Sequence, residues 1–252
     1  MAAPIRVLIP GDSQESATVG LALAYAQEIA KKVEARDVLL ITHTKDQLRH
    51  TGLALNLGEN AAKALLAGRA VSLPSGATLR YGTLATLRYS SGNPVIIAYY
   101  ADEKLLDFVD GIVGVKGVVA VPWVSGEADA WSDRWTPIVH GQEKQAPAAL
   151  IDDPVVETAL RSVSNIINLS HSLLQSRDKE WVDDVLRILR AKGHSLDAAK
   201  IRNWAIRNGW KPGAADDLAK LVLKVAGLKT RPRLTGIHDV DGRYARWTSG
   251  EG

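Results

Sequence analysis

The sequence predicts an α/β, Rossmann-like domain with a mainly parallel sheet over residues 1–145, followed by a small all-α, basic, helix-turn-helix-like domain over 146–252. Three observations predict it. Short, nearly continuous apolar runs alternate with helical patterns through the first half, as in a parallel sheet covered on both faces. Strand-type runs stop at the polar stretch Gln142-Glu143-Lys144-Gln145-Ala146-Pro147, which reads as a linker. Beyond it, apolar residues recur at helical spacing.

Ile5-Arg6-Val7-Leu8-Ile9 reads as a buried strand ended by Pro10-Gly11-Asp12. Leu21, Tyr25, Ile29 and Lys32 then follow helical spacing, and Val38-Leu39-Leu40-Ile41 is a second strand, completing a βαβ unit. The Ala-rich run from Gly58 to Gly68 predicts a helix that Gly68 terminates. Val71-Ser72-Leu73, Thr78-Leu79-Arg80-Tyr81 and the run from Pro94 to Tyr99 read as strands. A helix from about Asp102 to Asp110 leads into Val118-Val119-Ala120-Val121. Crossovers between such strands are right-handed.

In the second half, Val156, Leu160, Val163, Ile167 and Ser170 describe one amphipathic helix, and Trp181, Val185, Ile188 and Leu189 a second that stops near Gly193. Ser195 is expected to cap a third, which carries Ala198, Ile201, Trp204 and Ala205 and closes at Asn208-Gly209. Leu218, Leu221, Val222 and Val225 form the last stripe, ended by Gly227. Consecutive short helices with a tight polar turn make a helix-turn-helix-like module.

With 252 residues, 46% hydrophobic, the chain can bury a sizeable core. The absence of cysteine excludes disulfides, thiolate metal sites and cysteine nucleophiles. No apolar run approaches the roughly 18 residues a membrane helix needs, and Met1 to Arg6 is too short for a secretion signal. A cytoplasmic protein without a membrane partner is expected, with homo-oligomerisation open.

Charge is the most informative feature. Between Arg187 and Arg246 there are fourteen Lys and Arg against five Asp and Glu, although the net charge of the chain is only +3. The stretch from Asp152 to Asp184 carries three basic residues against seven acidic ones. A concentrated basic segment points to a polyanion, DNA or RNA, with Lys200, Arg202, Arg207, Lys211, Lys220, Lys224, Arg231 and Arg233 as phosphate contacts. Two other readings compete. The cations can simply solvate helix faces, or they can dock an acidic protein partner, and the 152–184 stretch is itself a candidate for that role.

The run Ile201-Arg202-Asn203-Trp204-Ala205-Ile206-Arg207-Asn208-Gly209 resembles the start of the DNA-binding domain of actinobacterial H-NS-like nucleoid silencers. That resemblance, over some ten residues, implies helical geometry and DNA contact. The family's Arg-Gly-Arg element, which enters the minor groove, is replaced here by Trp210-Lys211-Pro212-Gly213-Ala214. Trp204 and Trp210 read as core anchors ahead of base-stacking platforms.

In the first half, Gly11-Asp12-Ser13 after the first strand resembles the opening of SGNH-type esterases, which implies Ser13 as a nucleophile. The Gly-x-Asn-Asp and Asp-x-x-His blocks of that family are missing, and Asp12 and Ser13 also suit a turn and helix cap. The stretch from Val7 to Ile41 resembles universal stress proteins as well. This implies a nucleotide site using Gly11, Asp12, Ser13 and Ser16, with Gly111-Ile112-Val113-Gly114 as a phosphate loop, although Val124 stands where a third glycine is expected. His43 and His50 are seven apart without a carboxylate at ligand spacing. Trp123, Trp131 and Trp135 flank Glu127, Asp129 and Asp133, as a ligand pocket does or as a seal for the sheet edge against the helical domain. No cofactor and no metal site is implied. The expected function is non-enzymatic nucleic-acid binding by the basic helical module, the α/β domain acting as ligand sensor or oligomerisation platform. The alternatives are a nucleotide-binding protein or hydrolase using the Gly11 loop, and a structural or interaction protein.

Overall fold

The computed structural model describes residues 3–11, 16–87, 93–169, 171 and 173–251. The chain divides into two compact units, Met1–Pro147 and Ala148–Gly252. No helix among the described residues is long and apolar enough to cross a membrane.

The first unit is a seven-stranded sheet with helices. In chain order it runs β1 (Ile5–Leu8), α1 (Ser16–Lys32), β2 (Asp37–Thr42), α2 (Lys45–His50), α3 (Gly52–Leu57), α4 (Glu59–Leu66), β3 (Val71–Ser72) and β4 (Thr78–Thr83). Then come β5 (Val95–Ala101), α5 (Glu103–Asp110), β6 (Gly117–Pro122), α6 (Asp129–Trp135) and β7 (Ile138–Val139). The strand order is β3-β4-β2-β5-β6-β1-β7, parallel throughout except for the β3–β4 pair.

Continuous apolar strands arise because both faces are covered. Val38 and Leu40 of β2 point into a core formed with α1 to α4, whereas Leu39 and Ile41 point into a second core formed with α5 and α6. The handedness of crossovers accounts for this division. Connections leaving β1 and β2 travel toward β4 and pack on one face, and those leaving β5 and β6 travel toward β7 and pack on the other. Two neighbouring pairs, β2 with β5 and β6 with β1, therefore send their chains to opposite faces. Crevices open at the carboxyl ends of such pairs.

The second unit contains α7 (Pro154–Ser164), α8 (Ser176–Ala191), α9 (Ala198–Arg207), α10 (Pro212–Ala226) and α11 (Val240–Thr248). Its core includes Val156, Leu160, Leu186, Ile201, Trp204, Trp210, Leu218 and Val222. Gly209, at φ +91°, allows the sharp turn between α9 and α10.

Several elements differ from the sequence expectation. The helix drawn through Ile167 and Ser170 ends at Ser164, with Asn165 as its C-cap, although Ile167 of the stripe is buried. Ser170 lies outside the described residues. The third helix of the unit is capped by Asp197, not Ser195. The Asp197 carboxylate accepts from the amides of Ala199 and Lys200 at 2.9 and 3.0 Å, a reach that Ser195 two residues earlier does not have. α2, α3, α6 and β7 are too short to carry a periodic signal in the sequence, and α11 follows a turn-rich basic run that masks it.

Candidate nucleic-acid interface and ligand crevices

The cations of the second unit are for the most part engaged by carboxylates of the same unit. Lys200 reaches Asp152 at 2.8 Å, Arg202 reaches Asp216 at 2.6 Å, and Lys220 lies 3.4 Å from Asp217. Lys224 lies 3.6 Å from Asp183, which also pairs with Arg187. Lys192 meets Asp241 at 2.9 Å, Arg243 approaches Asp184 at 3.9 Å, and Lys179 meets Asp217 at 3.2 Å. Arg207 donates to the carbonyl of Ala148 at 2.9 Å, and Lys211 sits at the cap of α10 and is engaged in a further interaction.

Acids of the stretch 152–184 therefore meet Lys200, Lys224 and Arg243 across the helices, Asp216, Asp217 and Asp241 engage other cations, and part of the charge asymmetry in the sequence is offset internally. His194 belongs to the same pattern, with Nδ1 2.6 Å from Asp153 Oδ2 and Nε2 3.0 Å from the Tyr244 hydroxyl. Partial burial disfavours the charged form of Asp153, but His194 and the amides of Val155 and Val156 outweigh it and hold the carboxyl below the usual range.

One group of cations is different. Lys229, Arg231 and Arg233 are exposed, and no ion pair among the described residues involves them. They alternate along an irregular segment between α10 and α11 whose Pro232 is buried. A buried ring between two exposed arginines holds the backbone while the guanidinium groups face solvent.

Trp204 and Trp210 are buried and committed to packing, their indole N–H groups directed to Glu157 at 3.3 Å and Ser164 at 2.8 Å. Lys211 and Pro212, which stand where the nucleoid silencers place their groove-entering element, start α10 instead.

In the first unit, the carboxyl ends of the parallel strands carry a row of polar and aromatic side chains. His43, just past β2, has Nε2 3.0 Å from Oδ1 of Asp102, just past β5. The same Asp102 oxygen caps α5 through the amide of Leu105 at 2.8 Å. Tyr100 adopts φ +58°, a left-handed conformation unusual for a non-glycine residue, where the β5–β6 register slips between Tyr99 and Ala101. Its ring lies 4.6 Å from that of Trp123, past β6, and its hydroxyl donates to Thr51 at 2.6 Å.

Next along this edge is Gly11, past β1, beside a cleft of about 570 Å³ lined by Pro10, Ala17, Thr18 and His140 among others. His140 Nδ1 lies 3.0 Å from the Tyr25 hydroxyl. Asp12 and Ser13 lie outside the described residues, and Ser16 is the exposed first residue of α1.

Residues 152–248 match the family described as Domain of unknown function (DUF1889). The match covers a little over a third of the chain and contains α7 to α11, the internal ion pairs and the 229–233 segment. No curated protein and no solved structure matches the chain.

Other sequence candidates separate in space. Gly111 ends α5 and Gly114 precedes β6, at the amino edge of the sheet, whereas Gly11 lies at the carboxyl end of β1, so these glycines do not form one phosphate site. His43 precedes α2 and His50 ends it, each near its own aspartate, Asp102 or Asp46. Trp131, on α6, is buried in the core that α5 also lines, and Trp135 donates to Asp110 at 2.8 Å, so both pack within the first unit and only Trp123 of the three is exposed.

The His43–Asp102 pair was invisible in sequence because 58 intervening residues separate partners that only sheet order makes neighbours. Asp102 as the cap of a helix directly after a strand was the one local signal.

Proposed function

We propose that this protein binds nucleic acid without catalysing a reaction, through the segment Lys229 to Arg233 of its helical part. In this reading α8, α9 and α10 form a helix-turn-helix-like all-α module, and the α/β part is a Rossmann-like sensor or oligomerisation platform. The observation that carries it is the exposure of Lys229, Arg231 and Arg233 on a proline-held segment with no carboxylate partner among the described residues. Cations already solvated and unpaired pay little to approach phosphate, and each contact releases counterions. The exposed pairs of Lys200, Lys220 and Lys224 have a secondary role, since surface ion pairs are weak and phosphate can take the place of the carboxylate. Fluorescence anisotropy with duplex DNA and single-stranded RNA tests the proposal. Absence of binding to both at about 50 mM salt overturns it.

A second reading is favoured by the His43–Asp102 pair beside strained Tyr100, at a point where strand connections diverge. We infer a small-molecule crevice there, with exposed Trp123 as a stacking surface for a nucleotide base. Thermal stabilisation by AMP or ATP that is lost in His43→Gln supports this reading, and no stabilisation of the unaltered chain removes it.

A further inference from the structure

At the amino ends of β1 and β6, on the sheet edge opposite the crevices described above, Arg6, Asp110 and Lys116 line a cavity of about 290 Å³. Val109, Ile112, Val115 and Val118 supply an apolar wall. The cavity is far larger than the roughly 30 Å³ share of one water molecule.

The polar side is incompletely bonded. Asp110 is 1% exposed, and its Oδ2 accepts from Arg134 Nη1 and Trp135 Nε1, both at 2.8 Å. Its Oδ1 is buried without a hydrogen bond, the Arg6 Nη2 being 3.8 Å away. Arg6 stacks on Trp135 at 3.4 Å, and its Nε is likewise buried without an acceptor. Burial lowers the Arg6 pKa to about 10, with Asp110 opposing and Arg134 adding to the shift. Buried polar atoms of native proteins nearly always have a partner, so one unused donor beside one unused acceptor, both in charged groups, requires an explanation.

A guest must supply an acceptor to Arg6 and a donor to Asp110 a few ångströms apart. A simple anion or a simple cation answers only one of them. We propose that this cavity binds a small aliphatic α-amino acid, its carboxylate on Arg6 and Lys116, its ammonium on Asp110, and its side chain against Val109, Ile112, Val115 and Val118. Both orphaned atoms are buried, so binding requires the Arg6 guanidinium to shift, and its bond from Nη1 to the carbonyl of Pro4 is long, 3.4 Å. This inference stands independently of nucleic-acid binding.

Calorimetric titration of the full chain with L-valine and L-leucine tests it, with acetate and isobutylamine as half-ligands. The amino acids are expected to bind, each half-ligand at least tenfold more weakly, and Lys116→Gln to lose about tenfold in affinity through one charge-assisted contact. Asp110→Asn is expected to abolish binding. Because it also disturbs the partners of Arg134, the Lys116 variant, at the cavity wall, is decisive. No heat with either amino acid at about 10 mM, equal affinity in Lys116→Gln, or a crystal grown with valine that shows only water in the cavity overturns the proposal.

Discussion

Replacing Lys229, Arg231 and Arg233 together by Gln removes the only three consecutive alternating cations that the fold leaves exposed and without an ion pair among the described residues. On B-form DNA each phosphate contact contributes about −0.9 to the slope of log affinity against log salt, so three contribute about −2.7. Between about 50 and 200 mM salt that slope corresponds to roughly a 40-fold change in affinity. The triple variant should therefore bind more weakly at low salt and show a slope flatter by about 2.7, read by fluorescence anisotropy on a short duplex. Folding should be unaffected, since exposed substitutions stay within about 0.5 kcal/mol and buried Pro232 is untouched. Lys200→Gln with Lys224→Gln is the control. Both lysines are shared with Asp152 and Asp183, so each should change the slope by less than about 0.9. An unaltered slope in the triple variant, or an equal change in the control, refutes the reasoning.

Two further outcomes test the architecture. A methyl group at Gly117 would collide with the Ile29 side chain and come within 3.3 Å of the Ile5 carbonyl, where α1 packs on β1 and β6. Gly117→Ala should cost about 1–3 kcal/mol, seen as a lower urea midpoint with unchanged slope, and an unmoved midpoint contradicts the packing described. Asp153 titrates lower in the folded chain than in the unfolded one, so its stabilising contribution is complete above its unfolded pKa of about 3.9 and disappears as pH falls through the lower folded value. Thermal melts should thus lose stability below about pH 4, less so in Asp153→Asn, and identical acid profiles for the two proteins would remove the assigned role of the His194 contact.

The alternation of apolar strands and helices was legible because burial on both faces writes itself into contiguous residues such as Val38 to Ile41. The stripes of α8, α9 and α10 were legible for the same reason, each being a local period. Short helices such as α2 and α3 escaped notice because six residues carry too little periodicity. They are instead secured by Thr44 and Gln47 capping one and Thr51 the other. The basic segment was visible as composition, but its significance was not. Whether a lysine is free depends on the carboxylate opposite it, and Lys200 meets Asp152 across 47 intervening residues.

By itself the sequence determined the strand runs, the helix stripes and the place where one pattern yields to the other, since backbone propensity and side-chain period act between near neighbours. Only the tertiary structure decided which charges are spent. Helix packing set acids of 152–184 against Lys200, Lys224 and Arg243, engaged Lys192, Arg202 and Lys220 with carboxylates of their own stretch, and left Lys229, Arg231 and Arg233 facing water. Sheet order brought His43 to Asp102 and left Arg6 and Asp110 incompletely bonded beside a cavity. Those pairings depend on distances in space between residues far apart in the chain, which no local pattern encodes.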